Sequence, residues 1–141
     1  MPSLLSRLLD GVLGAAWTAA AARVVLCLPF WWSGLAKLFD FAGGTAEMAS
    51  QGLPAPALFN ALTILVQLGG SALVIANVWT WLGAGALGVF TVLATLLAHR
   101  FWTVDGPERV PQLNAFLEHL SIVAGFVLVA ILSARGARRH G

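Results

Sequence analysis

Charge is what this chain has least of. Asp, Glu, Lys and Arg make up 10% of its 141 residues, against about 25% in an average soluble domain. Eight basic and six acidic side chains cannot coat a globule of this size with water-compatible groups, so a soluble fold is excluded. Cysteine is nearly absent too. Cys27 stands alone, which excludes a thiol–disulfide enzyme that works through a cysteine pair. Metal ligands are sparse: His99 and His119 could meet, but two imidazoles on separate helices with no tighter motif assign neither metal nor haem. Nucleic acid has no support beyond a pI near 9.5, which Arg135, Arg138 and Arg139 explain as charge beside a membrane surface. His140 belongs to the same basic tail. No electron carrier can be read from the residues.

What remains is grease. Hydrophobic residues make up 59% of the chain, and from residue 48 to residue 99 there are 52 consecutive positions without Asp, Glu, Lys or Arg. A bilayer crossing needs about 20 apolar residues, so this stretch holds two, Ala57 to Ala76 and Trp81 to Ala98, with Asn77 and Thr80 marking the turn between them. A further span runs over about 19–38, with Arg23 and Lys37 near its ends, and the last over about 117–133. The spans are continuously apolar, not alternating, which favours helices over barrel strands. The expected fold is all-α, an integral membrane four-helix bundle occupying 19–134. Glycines such as Gly34, Gly70 and Gly83 allow close helix approach, and Pro29 predicts a kink in the first span.

Residues 1–18 allow two readings. Leu4, Leu5, Leu8, Leu9, Val12 and Leu13 recur at helical spacing opposite Ser3, Ser6, Arg7 and Asp10, the pattern of a helix lying in the interface. A signal peptide is the competitor, with a small-residue run at Ala19 to Ala22 for cleavage. Asp10 would interrupt its apolar core, and Arg23 continues the same element, which favours retention. Arg7 and Arg23 before the first span and the basic 135–141 tail after the last predict that both termini are cytoplasmic. The loops 40–56 and 100–116 then face outward. Trp79, Trp81 and Trp102 fall at headgroup level.

That topology gathers polar residues. Lys37, His99, Glu118 and His119 all fall at the outer ends of their spans. Ionisable groups at membrane depth usually face the bundle interior and find partners. Helical spacing adds stripes: Arg23, Cys27, Phe30, Gly34 and Lys37 on the first span, then Asn60, Thr63, Gln67 and Gly70 on the second. Gly88, Thr91, Thr95 and His99 line the third, and Glu118, Ser121 and Gly125 the fourth. Helix packing explains the glycines and threonines. For Lys37, His99 and Glu118, a functional pocket and a structural ion-pair cluster both stand.

The chain also resembles the DoxX family of small bacterial membrane proteins. The resemblance rests on Arg23, the run Ser33-Gly34-Leu35-Ala36-Lys37-Leu38, and Gly52-Leu53-Pro54-Ala55-Pro56. His99-Arg100-Phe101-Trp102 and Phe116-Leu117-Glu118-His119-Leu120 complete it. It implies a four-helix bundle in the cytoplasmic (inner) membrane. Two departures stand out: members often have Glu where this chain has Gln67, and Lys-Asn where it has Glu118-His119. Gln67 can hydrogen-bond but cannot exchange protons near neutral pH, while His119 adds a titratable imidazole.

Similar proteins are associated with membrane redox systems, including a thiosulfate-oxidising quinone reductase subunit. The resemblance therefore implies an accessory or quinone-interacting subunit whose electrons come from a membrane or periplasmic oxidoreductase partner. Lys37, His99 and Trp102 would contact the quinone, in a polar pocket shared with Gln67, Glu118 and His119. A non-catalytic anchor and a small-molecule permease are the other classes left open, and a homo-oligomer is compatible with each.

Overall fold

A computed structural model describes residues 3–139, with side chains up to Gly136. The side chains of Arg138, Arg139 and His140, on which the basic tail rests, lie outside that description. Seven α-helices and two short 3-10 turns follow one another, with no strand among the described residues. The helices are α1 (Leu4–Gly14), α2 (Ala16–Leu26), α3 (Leu28–Phe39), α4 (Phe41–Ser50), α5 (Pro56–Ala76), α6 (Thr80–Ala98) and α7 (Arg109–Arg139).

Among the described residues, three single segments are long and apolar enough to cross a membrane: Pro56–Ala76, Thr80–Thr103 and Gly106–Gly136. The chain is a membrane helical bundle. Its first expected span is not one helix. Residues 19–38 divide into α2 and α3 at Cys27, two residues before the proline where the kink was expected. Pro29 sits in the opening turn of α3, where its missing N–H would have had no partner anyway. Cys27 takes over the joint, its carbonyl accepting from the N–H groups of both Phe30 and Trp31. A bent pair also lies upstream: α1 and α2 meet at 60° and together are apolar enough for one crossing. Helix α1 buries no residue, and the Ser3 hydroxyl caps it by accepting from the Ser6 N–H at 3.2 Å.

Two loops are more ordered than expected. Residues 40–56 contain α4, started by the Asp40 carboxylate accepting from the Gly43 N–H at 2.9 Å, an N-cap that needs no apolar periodicity to form. Helix α7 starts at Arg109 instead of about 117, because Pro111 falls within its first turn and can be accommodated there. The turn between α5 and α6 is as short as expected. It puts both Asn77 and Trp79 in the left-handed region, at φ 57° and 47°, and the Thr80 hydroxyl donates to the Asn77 side-chain oxygen at 3.1 Å.

Helix α5 is the centre of the bundle, packed by α3, α4 and α6, and α7 closes against α6. Lipid supplies no hydrophobic force between helices, so association rests on close contact. Gly83 provides it on α6: a Cβ there would lie 2.7 Å from the Gly70 carbonyl oxygen and 2.8 Å from the Leu73 Cβ. Gly34 does the same for α3, where a Cβ would stand 2.8 Å from Leu68 Cδ2 and 3.2 Å from Gln67 Cβ. Cys27, Phe30, Val74, Ala84, Leu87 and Phe126 fill the interior. Phe30 meets Phe126 edge to face at 5.4 Å between centroids.

Replacing Gly83 with Leu should force α5 and α6 apart and lower stability by about 1–3 kcal/mol, the usual cost of overpacking. Thermal unfolding in mild detergent should show a clearly lower Tm. An unchanged Tm would mean that this approach does not hold the bundle.

Candidate functional site

The polar stripes on α5 and α6 point inward as the spacing predicts. Asn60, Thr63, Gln67, Thr91 and Thr95 are all buried. Burying polar groups in an apolar medium is costly unless they bond, and the two α6 threonines do so within their own helix. The Thr91 hydroxyl donates to the Leu87 carbonyl at 2.7 Å, and the Thr95 hydroxyl to the Thr91 carbonyl at 2.6 Å. Gln67 is different. It is 5% exposed and its Oε1 has no hydrogen-bond partner among the described residues.

Gln67 lines a cavity of about 460 Å³ among α3, α4, α5, α6 and α7, within the range of small-molecule sites. Phe30, Leu62, Val66, Phe90, Leu93 and Leu97 supply apolar walls, and Ser33, Lys37, Glu47, Thr63, Thr91 and His119 supply polar ones. Phe30 and Phe90 are edge to face at 6.3 Å. Lys37 reaches Glu47 with its Nζ 2.8 Å from the carboxylate and also donates to the Ser33 hydroxyl at 3.2 Å.

Three of the expected residues therefore share the cavity: Lys37, Gln67 and His119. His99 stands behind it. Its ring lies 4.9 Å from that of His119, edge to face, and its Nδ1 is 2.9 Å from Gln112 Oε1. Glu118 and Trp102 do not belong. The inward face of α7 carries His119, Ile122 and Phe126, one position on from the expected Glu118, Ser121 and Gly125, so both Glu118 and Ser121 are exposed. Trp102 is 51% exposed and forms an aromatic cluster with Phe101 and Phe116, at 5.2 and 6.0 Å, away from the cavity lining. Cys27 is fully buried. No group of three or more His, Cys, Asp or Glu that could hold a metal occurs among the described residues.

Glu47 is the residue the spacing arguments missed. The signal was present, since Glu47 is the last charge before the 52-residue uncharged stretch, but only the helix α4 brings it back to Lys37. Asn60, fully buried, ties that helix down by donating its Nδ2 hydrogen to the Phe41 carbonyl at 3.1 Å. Glu47 is half-exposed, at 53% of its side chain, so the ion pair contributes about 1 kcal/mol or less. Amide exchange over residues 41–50 should accordingly rise more in Asn60→Leu than in Glu47→Gln, where about fivefold is the limit. The reverse order would make the ion pair the main tether.

Inner membrane protein YphA of Escherichia coli (strain K12) is 27% identical over 110 residues, which cover 78% of this chain and 79% of that protein. No solved structure matches. A family model described as DoxX matches residues 18–100, which takes in α2 to α6 with Lys37, Gln67 and His99 and stops before His119. That match covers more than half of the chain, and the chain belongs to the DoxX family.

Proposed function

We propose that this protein is a multi-pass inner-membrane subunit that binds the ring of a small amphiphile, a quinone, in the cavity beside Gln67, and serves an oxidoreductase partner. The observation that carries the reading is Gln67 itself. A buried carboxamide with an unpartnered oxygen at the wall of a cavity is a polar group held ready for a ligand. The inner-membrane location draws on the three long apolar helices and on the similarity to YphA. Cytoplasmic termini follow from the basic residues flanking the spans, with the bent pair α1–α2 supplying the fourth crossing that same-side termini require.

The residues fit such a ring. Phe30 and Phe90 offer apolar surface, the Lys37 ammonium and the Gln67 N–H groups can donate to a carbonyl, and the unpartnered Gln67 oxygen can accept from the hydroxyl of the ring's reduced form. A bound quinone supplies the capacity to carry electrons and protons. The protein's own part is to hold the ring, orient its oxygens toward α3 and α5, and keep bulk water from the apolar wall. Lys37 is partly neutralised by Glu47, so the cavity need not hold an isolated cation. A second reading, a non-catalytic anchor, draws on α7, of whose apolar window only 6% is buried. That long outer face suits either lipid or a partner's helix.

Mass spectrometry of the protein extracted in mild detergent should find a quinone, in its oxidised or quinol form, and a redox enzyme travelling with it. Ala94→Phe, which fills the cavity from α6, should cut the bound quinone to about a tenth or less and leave the partner attached. Quinone absent from the wild type, or retained in full by the filled variant, would overturn the reading. A non-redox partner alone would favour the anchor.

A further inference from the structure

The hydrogen bonds around His119 say which form of a ring the cavity prefers. The Thr95 hydroxyl has one proton, and its oxygen lies 2.6 Å from the Thr91 carbonyl oxygen. That is the separation of an ordinary O–H···O hydrogen bond, and the carbonyl can only accept, so the Thr95 proton points at Thr91. The same hydroxyl oxygen is 2.7 Å from His119 Nδ1, and with its proton already committed it can only accept there. Donation from Thr95 to Thr91 assigns the hydrogen of the second contact to His119 Nδ1, and in a neutral imidazole this leaves Nε2, the ring nitrogen not taken up by Thr95, as the acceptor for the cavity that His119 lines. His99 follows the same logic, because its Nδ1 faces the acceptor oxygen of Gln112 at 2.9 Å. Its Nε2 is then bare too, so His99 offers its neighbour no donor from that position.

From this geometry we infer that His119 is a hydrogen-bond acceptor in the cavity wall, and that the cavity selects a ring bearing a hydroxyl, a phenol or quinol, over its oxidised or etherified counterpart. Resting on the proposed ring-binding function, this names the form bound. A carbonyl or ether oxygen facing Nε2 would set two acceptors against each other and leave both unsatisfied. A hydroxyl donates and satisfies one. Thr95 acts as a positioning residue, since it touches the imidazole and not the ligand, and Thr91 holds the Thr95 proton in place.

Two measurements on the purified protein test this. Nitrogen-15 NMR of histidine-labelled protein should show the Nδ1–H tautomer at His119, retained in Thr95→Ser and lost or mixed in Thr95→Val. Binding is then compared anaerobically for a short-chain benzoquinol, its quinone and its dimethyl ether, which keeps the ring and removes the donors. The quinol should bind about tenfold more tightly than either, and Thr95→Val should shrink that gap to about twofold. Equal binding of quinol and ether, or an Nε2–H tautomer at His119, would overturn the specificity proposed here. No binding by any of the three probes would overturn the ring-binding function instead, while the tautomer would still decide the role of Thr95.

Discussion

Close backbone approach to α5 is the constraint on which the rest of this structure depends. In lipid, a leucine gains nothing by leaving the acyl chains for a neighbouring helix, so contact distance has to do what the hydrophobic effect does in water. Gly83 on α6 against Gly70, and Gly34 on α3 against Leu68 and Gln67, bring the helices near enough for dispersion to hold them. Because Gly34 stands over Gln67, the same contact that holds α3 also places the unpartnered amide at the edge of the cavity. Fold and site share one contact.

The second constraint is polar satisfaction. An interior with Asn60, Thr63, Gln67, Thr91 and Thr95 would be costly in hydrocarbon if each needed a partner from another helix. The α6 threonines escape by bonding to their own helix one turn back, and Asn60 by anchoring α4. Thr95 then has an acceptor left over, which orients His119. Order in the site is thus inherited from the internal bonding of one helix; the side-chain oxygens of Asn60 and Gln67 both lack a partner among the described residues, and Gln67 is the one of the two that lines the cavity.

Helix class and the inward faces of α5 and α6 were legible in the sequence, because a 3.6-residue period survives in Asn60, Thr63 and Gln67 and in Thr91 and Thr95. The face of α7 was not. Choosing it by polarity selects Glu118 and Ser121, yet a carboxylate near the interface can reach headgroups and water, and Phe126 fills the core more completely than Ser121 could. The helix α4 escaped notice because its run of Ala, Gly, Thr and Ser has no apolar period, and with it went the Lys37–Glu47 pair. The break at Cys27 lay within reach of the proline signal but two residues from it, since a proline ends a helix before itself.

Bundle and cavity together amount to one claim: the space between α3 and α6 is a binding site, not a packing fault. An experimental structure of the wild-type protein in a native-lipid nanodisc tests that claim most directly. Bounded density for a ring packed against Phe30 and Phe90, with an oxygen within hydrogen-bond reach of Gln67 or His119, is the predicted result. A cavity closed by side chains, or occupied by an acyl chain continuous with the surrounding lipid, would contradict it.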